Sequence, residues 1–257
     1  MTTSTRLPAR GYDPKHFSML AEAEPANFWF RSRNKLILWA LQQFAPGARN
    51  FLEIGCGTGF VLQAVAARFP QLEIYGSELF AEGLSFAARR VPTARLLELD
   101  ARDIRFDSRF DAIGMFDVLE HIDDDRLVLE QVFKALTPGG TMFISVPQHR
   151  FLWGPSDVSC HHYRRYEKQE LVSKVQQAGF NVLATTSFVS LLLPLMIASR
   201  WCQRRFCHRH TVMSELQVRG LLGAFLEGVL SFELFLVRRG LSWPAGGSLF
   251  LVAHKPL

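Results

Sequence analysis

One stretch limits the folds open to this chain more than any other: residues 50–69 read NFLEIGCGTGFVLQAVAARF. Five residues suited to a buried strand run into glycines at alternate positions, Gly55, Gly57 and Gly59, and apolar spacing of helical period resumes at Phe60. Glycine there lets the backbone turn sharply at positive φ and lets a ligand approach the main chain. The alternation continues downstream. LEIYGSE (72–78) reads as a strand, AEGLSFAARR (81–90) as a helix, ARLLELD (94–100) and FDAIGMFD (110–117) as strands. DDRLVLEQVFKALTP (124–138) reads as a helix ended by Pro138-Gly139-Gly140, and TMFISVP (141–147) as a fifth strand. This pattern predicts an α/β fold with a parallel sheet covered on both faces, whose ligands bind at the carboxyl ends of the strands.

The chain has 257 residues, enough to bury a full core, and about half of them are apolar. Four cysteines, Cys56, Cys160, Cys202 and Cys207, form no disulfide framework. Together with an N-terminus that lacks the apolar segment of a signal peptide, this predicts a cytoplasmic protein. The net charge of +5 suits an anionic substrate or the inner face of a membrane without selecting either. RSRNKLILWALQQF (31–44) has helical spacing and stops before Pro46-Gly47.

Three readings compete for the glycine turn. A P-loop needs Lys and then Ser or Thr after the last glycine, where this chain has Phe60 and Val61. A dinucleotide fingerprint wants a small residue where Phe60 stands. A tight turn without any ligand is the third reading. Acidic residues at successive strand ends favour a nucleoside: Glu78 to accept ribose hydroxyls, Asp100 with Ala101 at an adenine edge, then Phe116 and Asp117.

Taken together, EIGCGTG, Glu78, LDA (99–101), FDAIGMFDVLEHIDD (110–124) and LTPGG (136–140) resemble the class I S-adenosylmethionine-dependent methyltransferases. The nearest resemblance is to the small-molecule branch that includes ubiquinone and menaquinone biosynthesis enzymes, and it covers residues 25 to about 180. The resemblance implies a Rossmann-like sandwich around a mostly parallel seven-stranded sheet, with S-adenosylmethionine as cofactor. It places Glu53, Gly55, Cys56 and Gly57 along the methionine part, Glu78 on the ribose, and Leu79, Asp100, Ala101, Phe116 and Asp117 around the remainder.

Methyl transfer from a sulfonium is an in-line displacement, and a base is needed only when the acceptor must lose a proton. His162 and His121 are the candidate catalytic groups. In ubiquinone-type O-methyltransferases a matching segment supplies acidic residues and a His to a divalent metal. The counterparts here are Asp117, Glu120 and His121, with Asp where those enzymes carry Glu, and no metal is expected. The segment 153–171, WGPSDVSCHHYRRYEKQEL, resembles a D…H-x-R-R-Y motif that lies over the acceptor in part of this branch. It makes Trp153, Asp157, Arg164, Arg165 and Tyr166 candidate substrate residues. The alternative is that Asp157 pairs with Arg165 to fix the loop while Tyr166 packs against the next helix. His161 is expected in solvent. Neither Cys160-His161-His162 nor C-x4-C-H-x-H at 202–210 has structural zinc spacing. NFWFRSRN (27–34) is read as a lid carrying Trp29 over the cofactor mouth, with a plain helix start packed on the core as the alternative.

NVLATTSF (181–188) and SLFLVAH (248–254) read as strands six and seven, separated by about sixty residues, which is long for a loop. The expected division is a lid segment at 1–48, the core at 49–187, an apolar and Arg-rich helical insertion at 188–247, and the last strand at 248–257. Pro194 in one apolar run, and Glu227 and Glu233 in the other, argue against membrane-spanning helices. Two readings of the insertion stay open. It forms a helical cover or subunit contact in a homodimer, or Arg200, Arg204, Arg205 and Arg209 rest with Trp201 and Phe206 at an anionic membrane surface.

The functional expectation is methyl transfer to oxygen of a small or lipid-linked acceptor. A non-catalytic nucleoside-binding or assembly protein is the alternative. Nucleic acid is not expected as a partner, because the fourth strand lacks the N-P-P-Y type of motif and the arginines form no stripe.

Overall fold

In the computed structural model the described residues are 16–206, 218 and 220–257. Strand β1 (Asn50–Ile54) is buried along its whole length, which explains an apolar run without alternation: a central parallel strand is covered on both faces. Its neighbours are β2 (Glu73–Glu78) and β4 (Phe110–Phe116), both parallel to it. With β3 (Arg95–Glu98), β5 (Leu136–Pro147), β6 (Asn181–Phe188) and β7 (Ser248–His254), they form one seven-stranded sheet of order β3-β2-β1-β4-β5-β7-β6. β7 runs antiparallel to both β5 and β6, and the other pairs are parallel. The chain reverses its direction across the sheet between β1 and β4, which opens a crevice there in a Rossmann-like fold.

Helices α1 (His16–Ala23), α2 (Phe28–Phe44), α3 (Phe60–Arg68), α4 (Ala81–Arg90), α5 (Asp125–Ala135), α6 (Pro155–Ser159) and α7 (Lys168–Gln177) flank the sheet. Two apolar clusters result. One gathers Ile113, Met115, Leu129, Tyr166 and Leu251 on the side of α5 and α7; the other gathers Ile37, Phe51, Leu62, Phe143 and Val252 on the side of α2 and α3.

Several boundaries differ from the sequence expectation. The helix expected to reach residue 138 ends at Ala135, because Leu136 already pairs with Phe110. Pro138 has no N–H to continue a helix, and an irregularity follows before Thr141 pairs with Ala112. β3 stops at Glu98, so Asp100 lies just beyond the strand, as Asp117 lies beyond β4. The lid region holds two helices rather than one.

The insertion contributes α8 (Leu193–Phe206) and α9 (Gly220–Arg238). Leu230, Leu234 and Val237 of α9 pack into the cluster shared with α2. Glu227 is paired with Arg31 and Lys35 of α2, and Glu233 accepts hydrogen bonds from the N–H groups of Ser190 and Leu191 at 2.9 and 3.0 Å. Both acids that argued against a span therefore have partners within the protein, Glu233 through Oε2 alone. By length and composition alone α9 is long and apolar enough to cross a membrane, but one of its faces is built into the core.

All three glycines of the turn have positive φ. At Gly59 (φ +78°) a Cβ would lie 2.8 Å from the Ala87 Cα of α4, so the turn also sets how closely α3 and α4 approach. Gly59→Ala is expected to lose about 2–3 kcal/mol of stability in denaturant unfolding, from strain plus a clash with main chain. An unchanged midpoint would contradict the packing role.

Candidate functional site

A cavity of about 1150 Å³ opens at the carboxyl ends of β1, β2 and β4, and the glycine turn forms its floor. A Cβ at Gly55 would lie 2.5 Å from Val118 Cγ2, so only glycine lets that wall close. Glu78, at the end of β2, accepts N–H groups from Gly57 at 3.0 Å, Leu79 at 2.8 Å and Phe80 at 3.3 Å. Burial raises its pKa against the opposing pull of these donors. The carboxylate is thus fixed beside the turn, facing the cavity. Cys56 is also on the wall, but its thiol is packed against the sheet and burial pushes its pKa up.

Acidic groups dominate the inner wall. Glu53 and Glu120 are buried, and Glu53 Oε2 and both Glu120 oxygens have no hydrogen-bond partner among the described residues. Burial raises both pKa values, with Asp117 adding to the effect at Glu120 and Arg33 opposing it at each. Asp117, at positive φ just after β4, is ion-paired with Arg33 of α2 and accepts from Ser145 Oγ at 3.3 Å. The Arg33 guanidinium also lies 4.7 Å from the centre of the Trp29 ring one turn earlier on α2, and both residues line the cavity. Because both buried acids bind protons more readily when folded, the stability they add is complete below the ordinary carboxylate pKa of 4.5 and is lost as pH rises through their folded values. Glu120→Gln should therefore melt a few degrees above the wild type at about pH 8, the gap closing toward pH 4.5. Equal melting curves across that range would show that Glu120 pays no burial penalty.

The sequence missed α1 as part of the site. Phe17 covers the turn: its ring lies 3.8 Å from where a Gly57 Cβ would be and 3.1 Å from that of Gly83. Glu24, just after α1, accepts from Thr58 Oγ1 in the turn and is ion-paired with Arg90 of α4. The signal available was local only: Thr58 sits in the turn, but its partners are far away in sequence.

On the other side of the crevice Leu79, Phe80, Leu99, Ala101 and Arg102 line a slot. Asp100 is held by Arg102 at 2.6 Å, and that hydrogen bond keeps its carboxyl below the usual range. Phe116 borders the cavity, but its ring folds over Gly114 and packs in the α2-side cluster, whereas Ala101 belongs to the opposite cluster. Both residues line the cavity.

Asp157 organises the loop after β5. Its Oδ1 accepts from Arg165 Nε at 2.8 Å and faces His162 Nδ1 at 2.9 Å, while Oδ2 accepts from Gly154 N–H at 2.8 Å. Burial works against the charge, but the His162 and Arg165 contacts hold the carboxyl below its ordinary value. An ionised Asp157 makes Nδ1 the donor, which leaves Nε2 of His162 as the acceptor nitrogen. His121 stands edge-on to His162, ring centres 4.6 Å apart, with its pKa lowered to about 3 by burial and then by His162. The expected pairing of Asp157 with Arg165 is present, and the same carboxylate also contacts His162. One nitrogen or oxygen from each of Glu120, His121 and His162 lies within 4.8 Å of the others, a set with metal-ligand chemistry that swaps Asp117 for His162.

Three expected substrate residues are elsewhere. Tyr166 is fully buried; its hydroxyl donates to Asp125 of α5 at 2.7 Å, and Lys174 of the next helix, α7, lies 5.4 Å from its ring centre. Arg164 is paired with Asp123 and Asp125, and neither it nor Trp153 lines the cavity; both border a smaller cleft outside it. They were misplaced because alternate residues of an irregular loop diverge. His161 is exposed, at φ 56°, a conformation glycine adopts readily. Cys56, Cys160 and Cys202 form no disulfide with one another, and Cys207, His208 and His210 lie outside the described residues.

Residues 24–185 match the model of a family described as methyltransferase domain. A probable S-adenosylmethionine-dependent methyltransferase of Mycolicibacterium smegmatis is 27% identical over 162 residues, covering 61% of this chain and 60% of that protein. The chain thus spans about three fifths of that relative's length. A ubiquinone biosynthesis O-methyltransferase of Idiomarina loihiensis is 24% identical across 71% of this chain and 79% of its own. A dTDP-3-amino-3,6-dideoxy-alpha-D-glucopyranose N,N-dimethyltransferase of Streptomyces fradiae is 37% identical over 40% of this chain and 42% of its own. Among solved structures, the [4+2]-cyclase SpnF superposes with TM-score 0.60 at 20% identity, covering 89% of this chain and 84% of that one. Phosphoethanolamine N-methyltransferase 2 of Haemonchus contortus, with S-adenosylhomocysteine, gives 0.62 at 18%, covering 95% and 58%. At such identities the likeness concerns the fold.

Proposed function

This chain belongs to the methyltransferase-domain family, and from that membership we propose that it transfers the methyl group of S-adenosylmethionine to a hydroxyl of an acceptor with an apolar body. The cavity suits the donor: a cationic sulfonium and ammonium meet a wall of Glu53, Glu78, Asp117 and Glu120, and the ribose hydroxyls meet Glu78. Bound there, the donor supplies an activated methyl that leaves sulfur as the bond to oxygen forms, giving S-adenosylhomocysteine.

The chain's own residues do the rest. Phe17, α2 and the insertion helices shield the crevice from water, which keeps the reacting groups aligned. His162, held in one tautomer by Asp157, accepts the hydroxyl proton at Nε2. The observation that carries the oxygen-directed reading is this Asp157–His162 pair at the cavity wall. The apolar acceptor follows from Val189, Leu192, Leu195, Met196 and Leu226, which line the cavity beyond the catalytic loop. Arg200, read from sequence as a membrane cation, is instead buried over Gly154 and donates to Ser156 Oγ at 2.9 Å, so α8 braces the loop that carries His162.

The test uses methyl-labelled S-adenosylmethionine with an organic extract of cells as acceptor pool. Label is expected in an apolar, alkali-stable product, with S-adenosylhomocysteine in equal amount. Binding of the donor without any S-adenosylhomocysteine would favour the nucleoside-binding alternative, and an amine-linked methyl would favour nitrogen.

A further inference from the structure

The outer face of α9 is the largest feature that the proposed chemistry leaves without a use. Leu221, Phe225, Phe232 and Phe235 recur at spacings of four, seven and three, which sets them on one stripe of the helix. All are exposed, Leu221 at 92% and Phe225 at 67%. The opposite stripe, Gly223, Leu230, Leu234 and Val237, is the one buried against the core. A helix docked on a globular core normally turns polar residues outward, so apolar residues on both faces mean that two surfaces are being covered. Leu191, Leu195, Ile197 and Trp201 of the α8 region are exposed as well. Leu195, and Leu226 on α9 itself, also line the cavity, so both insertion helices border it.

We infer that this face docks on the surface of a phospholipid bilayer, with the cavity lip against the membrane so that an apolar acceptor enters from the lipid. The second clause rests on the methyl-transfer reading; docking does not. Two features select lipid over a protein partner. The stripe ends in exposed Arg238 and Arg239, with the Arg239 guanidinium 4.9 Å from the centre of the Phe235 ring, an arrangement in which the arginine meets anionic headgroups while the ring sits below them. The stripe is also aliphatic and aromatic without interspersed polar groups that would register a specific protein surface. Arg204, Arg205 and Arg209, expected from the sequence to supply the attraction, have side chains outside the described residues, and the docking rests on the apolar stripe instead.

The test is flotation with vesicles of phosphatidylcholine alone and of phosphatidylcholine with phosphatidylglycerol, using the wild type and a Leu221→Ser, Phe225→Ser, Phe232→Ser variant. The wild type should float, more with the anionic vesicles, and the variant should lose at least about tenfold in bound fraction while melting normally and keeping its S-adenosylmethionine affinity. Hydrogen exchange on the wild type alone should show vesicle-induced protection at 220–239, which covers the case of a variant that folds poorly. A wild type that stays with the unbound fraction, or that shows no protection there, overturns the inference. So does a dimer in light scattering that the triple substitution dissociates, since a second copy would then cover the stripe. S-adenosylhomocysteine formation, measured in the same samples, separates the two readings: flotation without turnover retains docking and removes methyl transfer.

Discussion

Glu78→Ala should weaken S-adenosylmethionine binding by about 2–4 kcal/mol, because two charge-assisted hydrogen bonds to ribose hydroxyls are lost in a buried setting. The carboxylate has a second task. It also holds the N–H groups of Gly57, Leu79 and Phe80, so its removal loosens the glycine turn on which the nucleoside rests. Titration calorimetry on both proteins measures the loss. Glu78→Gln should weaken binding less than Glu78→Ala, since the amide keeps one acceptor oxygen while its NH2 opposes the other turn donor. Equal affinity for wild type and Ala variant would remove Glu78 from the site.

His162→Ala should lower the methylation rate by about a hundredfold or more with donor affinity unchanged, the scale of a lost general base. Asp157→Asn should lower the rate as well, and should also cost stability, because Arg165 would be left buried opposite an uncharged amide. The pair of variants distinguishes chemistry from scaffolding. A merely structural His162 would give a lower melting temperature and a normal rate per folded molecule.

Much of this architecture was legible in the chain because it is local. A strand, alternate glycines and a helix occupy consecutive residues, and the acids at strand ends fall where parallel topology must bring them together. Glu78, Leu79 and Ala101 come to one cavity wall for that reason, and Asp157 meets His162 because they lie five residues apart. What could not be read is long-range or rotational. Arg33 meets Asp117 across 84 positions, and Glu24 meets Thr58 across 34, through helix packing that no spacing encodes. The H-x-R-R-Y run hides a different difficulty. Its residues project in different directions, so His162 and Arg165 face the cavity while Arg164 turns to α5 and Tyr166 enters the core. Phe116, which the resemblance sets beside the adenine, borders the cavity with its ring over Gly114.

The same packing explains why the insertion resisted reading. Composition alone could not say which stripe of α9 is buried, and Glu227 and Glu233 read only as breaks in an apolar run. They are instead anchors, one to α2 and one to the turn before α8.

The central claim, that the crevice between β1 and β4 holds the methyl donor with its reacting end toward His162, is tested most directly by a crystal structure with S-adenosylhomocysteine. The ribose hydroxyls are predicted on the Glu78 carboxylate, the adenine between Leu79 and Ala101, and the sulfur on the side of the cavity that His162 and His121 line. A nucleoside bound with its ribose away from Glu78, or with its sulfur turned from His162, would contradict the account.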